Sequence, residues 1–251
     1  FYKSREIVGV MKNATVSRSG KHWDVSIQVE QEVPDPVHPH PKREIGVDMG
    51  IASTLTTSDG THHEMPSLDA LDRRIRHAQR AASRKKKHSA NWRKACDRVA
   101  HLKERQANIR RDFQQKTTTA LIHNHGLVAI EDLNVQGMTK SAKVTVEEPG
   151  KNVAAKAGLN RRILEQGWGE QRRMLEYKAK WAGGELIAVN AAGTSRTCSV
   201  CGYEAAENRT TQSRFKCKEC GHTENADENA AKNILKRARH ARIACGEGRA
   251  K

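Results

Sequence analysis

The amino-acid sequence predicts an α/β fold: a mixed sheet with helices on its faces, and a small cysteine module set in near the C-terminal end. Three observations predict it. Short apolar segments of strand length alternate with long stretches in which apolar residues recur every three or four positions. Two Cys-x-x-Cys pairs lie 15 residues apart, between the last strand signal and the last helix signal. Three carboxylates, Asp48, Glu131 and Asp227, stand at the edges of predicted core elements.

Taken in order, residues 7–16 and 23–29 alternate in part between apolar and polar. Arg18-Ser19-Gly20-Lys21 between them reads as the turn of a hairpin, with Val25, Ile27 and Val29 on one face. Pro34, Pro36, Pro39 and Pro41 follow; prolines cannot donate to a sheet ladder, so this stretch is an extended linker. Residues 44–48 read as the first strand of the core. Residues 53–58 and 61–65 flank Asp59-Gly60, a two-residue hairpin signal. Leu68, Leu71, Ile75, Ala78 and Ala82 then recur at helical spacing. The pattern resumes at Trp92, Ala95, Val99, Leu102, Gln106, Ile109 and Phe113, which predicts two antiparallel helices joined near residues 83–90. Residues 127–130 are continuously apolar, as in a strand buried on both faces. Residues 137–160, with Pro149 and Gly150, read as a loop or lid. Residues 161–181 read as one helix ended by Gly183-Gly184, residues 185–189 as a strand, and residues 227–242 as the final helix.

Composition narrows the function. The 251 residues suffice for one large domain or two smaller ones with a buried core. Only 36% are hydrophobic and 29% are charged, with a net charge of +16 and a mean hydropathy of −0.79. Much of that charge is local. Residues 72–111 hold fifteen Lys and Arg, among them Arg73, Arg74, Arg76, Arg80, Arg84, Lys85, Lys86, Lys87, Arg93 and Lys94, against Asp72, Asp97 and Glu104. A concentrated surplus of this kind points to a polyphosphate partner, because each cation that meets a phosphate releases condensed counterions. Aromatic residues are only 4%, so base stacking is not the main mode of contact. Trp92, Trp168 and Trp181 fall at core-like helical positions. The twelve histidines show no metal-ligand spacing, and His62-His63 reads as surface. No run of ~18 apolar residues predicts a membrane span, and no signal peptide is visible. The chain starts at Phe1 rather than Met, which suggests a piece of a longer protein.

Cys198, Cys201, Cys217 and Cys220 form two knuckles, each followed by a glycine, Gly202 and Gly221. Two such thiolate pairs supply the tetrahedral set that Zn²⁺ prefers, and with all four positions filled the ion is structural. The pairing favours a reducing compartment over secreted disulfides. Arg209, Arg214, Lys216 and Lys218 give the module a basic surface for DNA or RNA, and Cys96 and Cys245 are left as ordinary free thiols.

The carboxylates admit two readings from spacing alone. Strand ends can bring Asp48, Glu131 and Asp227 together, where repulsion and raised pKa values favour a divalent cation such as Mg²⁺. Alternatively Asp48 is a turn residue before Gly50, Asp227 is a helix N-cap, and Glu131 yields its place to Asp132, because neighbouring strand residues face opposite ways.

Several motifs in order resemble the TnpB/OrfB family of transposon-encoded proteins related to type V CRISPR effectors. They are Gly46-Val47-Asp48-Met49-Gly50-Ile51, Ile130-Glu131-Asp132-Leu133-Asn134-Val135-x-Gly137-Met138, Thr194-Ser195-x-Thr197-Cys198-Ser199-x-Cys201-Gly202 and Asp227-x-Asn229-Ala230-Ala231-x-Asn233-Ile234-Leu235. Asn91-Trp92-Arg93-Lys94 and the stretch from residue 159 to 178 also look like that family, so the resemblance covers residues 40–237. It implies an RNase H-like (RuvC) nuclease with a zinc ribbon. Catalytic acids fall on Asp48, Glu131 and Asp227, which would hold Mg²⁺, and structural zinc falls on the four cysteines. It further implies guide RNA and target DNA as partners, a prokaryotic cytoplasmic setting at the nucleoid, and contact with the guide–target duplex along the basic helices. The expected organisation is a partial wedge and linker at 1–42, a nuclease domain at 43–194 and 223–245, the ribbon at 195–222 and a tail at 246–251. Family members carry a longer N-terminal half with a recognition lobe, of which residues 7–30 look like the last part of the wedge. The expected activity is Mg²⁺-dependent, RNA-guided cleavage of DNA. The alternative is a non-cleaving nucleic-acid-binding module, and such proteins typically lack one of the acids.

Overall fold

A computed structural model describes residue 2 and residues 6–19, 22–142 and 150–247, without the side chains of residues 19 and 245–247. In chain order the elements are β1 (Val10–Ser19), β2 (His22–Glu30), β3 (Glu44–Asp48), β4 (Leu55–Thr57), β5 (His62–His63), α1 (Asp69–Ser83), α2 (Ala90–Asn124), β6 (Leu127–Glu131), α3 (Val135–Met138), α4 (Val153–Gln166), α5 (Trp168–Ala182), β7 (Glu185–Val189), β8 (Arg214–Lys216), β9 (Thr223–Asn225) and α6 (Ala226–Glu247). The chain forms two compact units, one of residues 1–35 and 66–113 and one of residues 36–65 and 114–251.

In the first unit β1 and β2 pair antiparallel from Val10↔Glu30 to Ser19↔His22, with one register shift between Met11 and Asn13. Residues 20 and 21 of the expected turn lie outside the described residues. The apolar face expected from Val25, Ile27 and Val29 is covered only in part, since Ile27 alone is half-buried while Val25 and Val29 are exposed. The helical pair follows its periodicity. Leu71, Ile75 and Ala78 of α1 pack with Leu102 of α2, flanked by Val99 and Ile109. The Gln106 amide donates to Asp72 Oδ1 at 2.5 Å, so α2 folds back along α1. Asp69 and Asp72 in the first turn of α1 favour its N-terminus through the helix dipole.

The second unit is built on a five-stranded mixed sheet of order β5-β4-β3-β6-β7. β3, β6 and β7 are parallel, while β4 and β5 join antiparallel. Strand β6 is buried throughout, and its period of two feeds both faces. Val128 and Ile130 enter one cluster with Ile45, Val47, Ile163, Trp168 and Leu175. Leu127 and Ala129 enter another with Val189, Ile234, Leu235 and Ala238 of α6. Glu44 at the start of β3 accepts from Arg239 Nε at 2.6 Å and also pairs with Arg242, tying that strand to the far end of α6.

The structure departs from expectation at several points. The strands expected over 53–58 and 61–65 shorten to β4 and β5. The segment read as a loop or lid holds the end of α3 and the first half of α4, and its residues 143–149 lie outside the described residues. The single helix expected over 161–181 is two helices. Gly167 takes a left-handed conformation, φ 67°, and breaks it. The buried Gln114 amide donates toward Gln166 O and Gly167 O at 3.3 and 3.4 Å, and Gln171 donates to Gln166 O at 3.1 Å, which satisfies the carbonyls freed at the break. Trp168 is buried as expected and Trp92 half-buried, but Trp181 is 75% exposed, its ring 5.0 Å from that of Tyr177. No helix among the described residues is long and apolar enough to cross a membrane.

Candidate functional site: an acidic centre beside a four-cysteine module

Parallel pairing of β3 with β6, in the register Val47↔Ile130, carries Asp48 and Glu131 to the same edge of the sheet. Helix α6 brings the third acid. Its N-terminus is capped by Asn225, whose Oδ1 accepts from Asp227 N at 2.9 Å and Glu228 N at 3.4 Å. Asp227 is therefore not the cap, and its carboxylate is free for other work. The close approach of α6 to β3 depends on Gly46, where a β-carbon would stand 2.1 Å from Ala231 O. The neighbouring acids at the end of β6 differ in their surroundings. Glu131 is buried, whereas Asp132 is exposed and pairs with Arg172.

Asp48 feels the charges of both other carboxyls. Burial first, then the charges of Glu131 and Asp227, push Asp48 up to about 8, with Arg209 opposing. Burial also raises Glu131, against the Thr194 hydrogen bond and the charges of Arg237 and Arg209, and it raises Asp227 against Arg209 and His62. Such a trio is poorly served by protons alone at neutral pH and suits a divalent cation, which would favour all three ionised forms at once. Among the described residues, only the four cysteines bring three or more ligand atoms to within 4.8 Å of one another, so the carboxylate oxygens are spread more widely than that.

Residues that spacing did not single out complete the surroundings. Arg209, expected on the nucleic-acid surface of the cysteine module, turns toward the acids, with Nη2 3.4 Å from Asp227 Oδ1. His62, read as surface, bonds Thr56 through Nδ1 and Glu228 through Nε2, each at 3.2 Å. The Thr194 hydroxyl donates to Glu131 Oε1 at 2.5 Å. The one sequence signal for Thr194 was its place in the motif that leads into Cys198.

The cysteine module brings Cys198 Sγ to 3.7 Å from Cys220 Sγ, and Cys201 Sγ to 3.6 Å from Cys217 Sγ. A tetrahedral ion with thiolates at about 2.3 Å requires sulfurs about 3.8 Å apart, so the set fits a metal ion closely. Gly202 and Gly221 adopt φ 79° and 72°, the left-handed turn each knuckle needs. Phe215 of the β8–β9 hairpin packs with Cys198, Cys217 and Ala226. Two buried asparagines of α6 hold the first knuckle. Asn229 accepts from Ser199 N at 2.9 Å and donates to Thr197 O at 2.8 Å, and Asn233 donates to Thr194 O and Thr197 O at 2.9 and 2.7 Å. Cys96 is half-buried and unbridged, while the Cys245 side chain lies outside the described residues. The ten basic residues expected to meet nucleic acid, Arg73 to Lys94, are all exposed on the first unit.

Two family models match the chain. Residues 26–142 match OrfB_IS605, described as "Probable transposase", and residues 168–234 match "Cas12f1-like, TNB domain". Among solved structures, the cryo-EM structure of a CRISPR-Cas12f ternary complex aligns with a TM-score of 0.50 at 22% identity, over 85% of this chain and 41% of that one. The likeness defines the class of fold, a mixed α/β sheet with helices arranged as in Cas12f. Among curated proteins, the Escherichia coli (strain K12) "Putative RNA-guided DNA endonuclease InsQ" is 50% identical over 248 residues, 98% of this chain and 61% of that protein. A "Putative RNA-guided DNA endonuclease" of Streptomyces pristinaespiralis is 36% identical over 93% of this chain and 54% of its own length. The chain belongs to the TnpB/OrfB family. It spans little more than half the length of these two relatives.

Proposed function

We propose that this chain is the nuclease-bearing part of a transposon-associated, RNA-guided DNA endonuclease, with an RNase H-like (RuvC) core and a zinc ribbon. The observation that carries the reading is the convergence of Asp48, Glu131 and Asp227 from two strands and a helix, with Asp48 raised to about 8 by burial and its two neighbours. Asp48, Glu131 and Asp227 would hold Mg²⁺, and Cys198, Cys201, Cys217 and Cys220 would hold zinc. Held there, Mg²⁺ would supply Lewis-acid activation of water and charge neutralisation for phosphodiester hydrolysis. The protein's part is to hold the three carboxyls in place, with the Arg209 charge favouring their ionised forms. The exposed cations from Arg73 to Lys94 grip phosphates of a guide–target duplex by shape rather than by base. Guide RNA and target DNA are the partners of the complete protein. A four-thiolate site persists in a reducing interior, the prokaryotic cytoplasm, where nucleoid DNA is at hand.

The test is cleavage of labelled single- and double-stranded DNA by protein co-expressed with RNA from its own locus, with Mg²⁺ or EDTA, beside Asp48→Ala and Glu131→Ala. Cutting that needs Mg²⁺, the RNA and both acids is the expected result. Cutting that needs the acids but not the RNA would assign guidance to other sequence. Salt-sensitive binding without cutting would overturn the nuclease reading in favour of a binding module.

A further inference from the structure

Thr194 lies between β7 and the first knuckle, 2% exposed, and contacts Glu131 of the acidic centre through one atom and Asn233 of α6 through another. Its hydroxyl donates to Glu131 Oε1 at 2.5 Å, and Ala191 O stands 3.0 Å from the Thr194 Oγ1. Its carbonyl accepts from Asn233 Nδ2 at 2.9 Å. Asn233 is on α6, the helix that begins beside Asp227, and Glu131 ends β6. One residue thus spans from the strand that carries one acid to the helix that carries another.

We infer that Thr194 is a positioning residue for the acidic centre: its hydroxyl fixes the rotamer of Glu131 while Asn233 fixes Thr194, so that the spacing of Glu131 from Asp227 is set by this bridge as well as by the sheet. The inference rests on the proposed cation-binding role of the acids. The physical need is clear. A glutamate has three rotatable bonds, and an ionised Asp48 repels it. A charge-assisted hydrogen bond from a buried hydroxyl opposes that repulsion. Groups that orient a metal ligand in this way typically matter by about 10–100-fold in metal affinity.

The experiment uses the purified full chain and Mn²⁺ as probe, read by loss of the free Mn²⁺ EPR signal, so cleavage is not required. Thr194→Val keeps the shape and removes the hydroxyl, and Thr194→Ser keeps the hydroxyl. Thr194→Val is expected to weaken Mn²⁺ binding about tenfold while cysteine-bound zinc stays stoichiometric, and Thr194→Ser to bind within about twofold of the parent. In a Glu131→Ala background, adding Thr194→Val should change nothing further, which separates positioning from general loss of structure. Parent-like binding by Thr194→Val, equal losses in both variants, or a full additional loss in the Glu131→Ala background each overturns the inference while leaving the proposed function standing. Absence of Mn²⁺ binding by the parent chain would overturn both.

Discussion

A β-carbon on Gly46 would stand 2.1 Å from the carbonyl oxygen of Ala231 and 2.9 Å from the backbone nitrogen of Leu235, so strand β3 and helix α6 touch backbone to backbone. That contact sets Asp48, two residues along β3, beside the N-terminal turn of α6 that holds Asp227. Gly46→Ala is therefore expected to destabilise the protein by about 3 kcal/mol or more, since the obstructing atoms are backbone and cannot rotate aside. A urea midpoint within error of the parent, at an unchanged m-value, would show that the helix can shift at little cost.

Asp48 supplies a pH-dependent prediction. Its pKa is about 8 in the folded protein, against about 3.9 when unfolded. Between these values the folded state binds the extra proton, so without Mg²⁺ this group increasingly destabilises the fold as pH rises from 4 to 8. At pH 7 the effect is on the order of a few kcal/mol, at about 1.4 kcal/mol per unit. Asp48→Asn removes it. In Mg²⁺-free buffer the variant should melt above the parent at pH 7, with the gap closing toward pH 5. Mg²⁺ should raise the melting temperature of the parent and leave the variant unmoved. A parent that is equally stable at pH 5 and 7 relative to the variant would contradict the assignment.

These two residues also show what could be read in advance. The strand of Asp48, the buried strand of Glu131 and the start of α6 were legible because each is a local pattern: apolar runs, a turn signal, helical spacing. The cysteine spacing was legible for the same reason. Where tertiary contacts decide, local patterns misled. The break at Gly167 depends on Gln114, which is 53 residues away in sequence and caps the broken end. Trp181 continues the helical period of α5 yet faces outward, because periodicity does not say which helix face is covered. Arg209 read as one more cation of a basic module, and only the folded β8–β9 region aims it at Asp227. Asn229 and Asn233 had no signature of burial, since asparagine is mostly a surface residue.

Those asparagines lead to the third prediction. Asn229 is fully buried and makes two hydrogen bonds to the backbone around Cys198. Asn229→Ala should leave zinc bound at one equivalent yet lower stability by about 1–3 kcal/mol, because Ser199 N loses its partner inside the protein and Thr197 O keeps only Asn233. Cys217→Ser should instead lose the metal and with it the fold of the module, read as fast proteolysis within residues 195–225. Full zinc retention and parent-like protease resistance in Cys217→Ser would remove the metal from its structural role.

The last prediction concerns the basic helices. Lys85, Lys86 and Lys87 are exposed in the connection between α1 and α2 and contribute three of the chain's cations without packing against its core. If they meet phosphates, their replacement by glutamine should flatten the plot of log affinity against log salt for duplex DNA, by at most about 2.7 in slope, since each neutralised phosphate contributes about 0.9. Affinity should fall about equally for unrelated sequences, because phosphate contacts position a duplex without reading it. Fluorescence anisotropy between about 50 and 200 mM salt resolves such a change. An unchanged slope would mean that these lysines stay solvated in the complex and that the phosphate contacts come from Arg73, Arg74, Arg76 and Arg80 along α1, which the same measurement on their glutamine variants would then reveal.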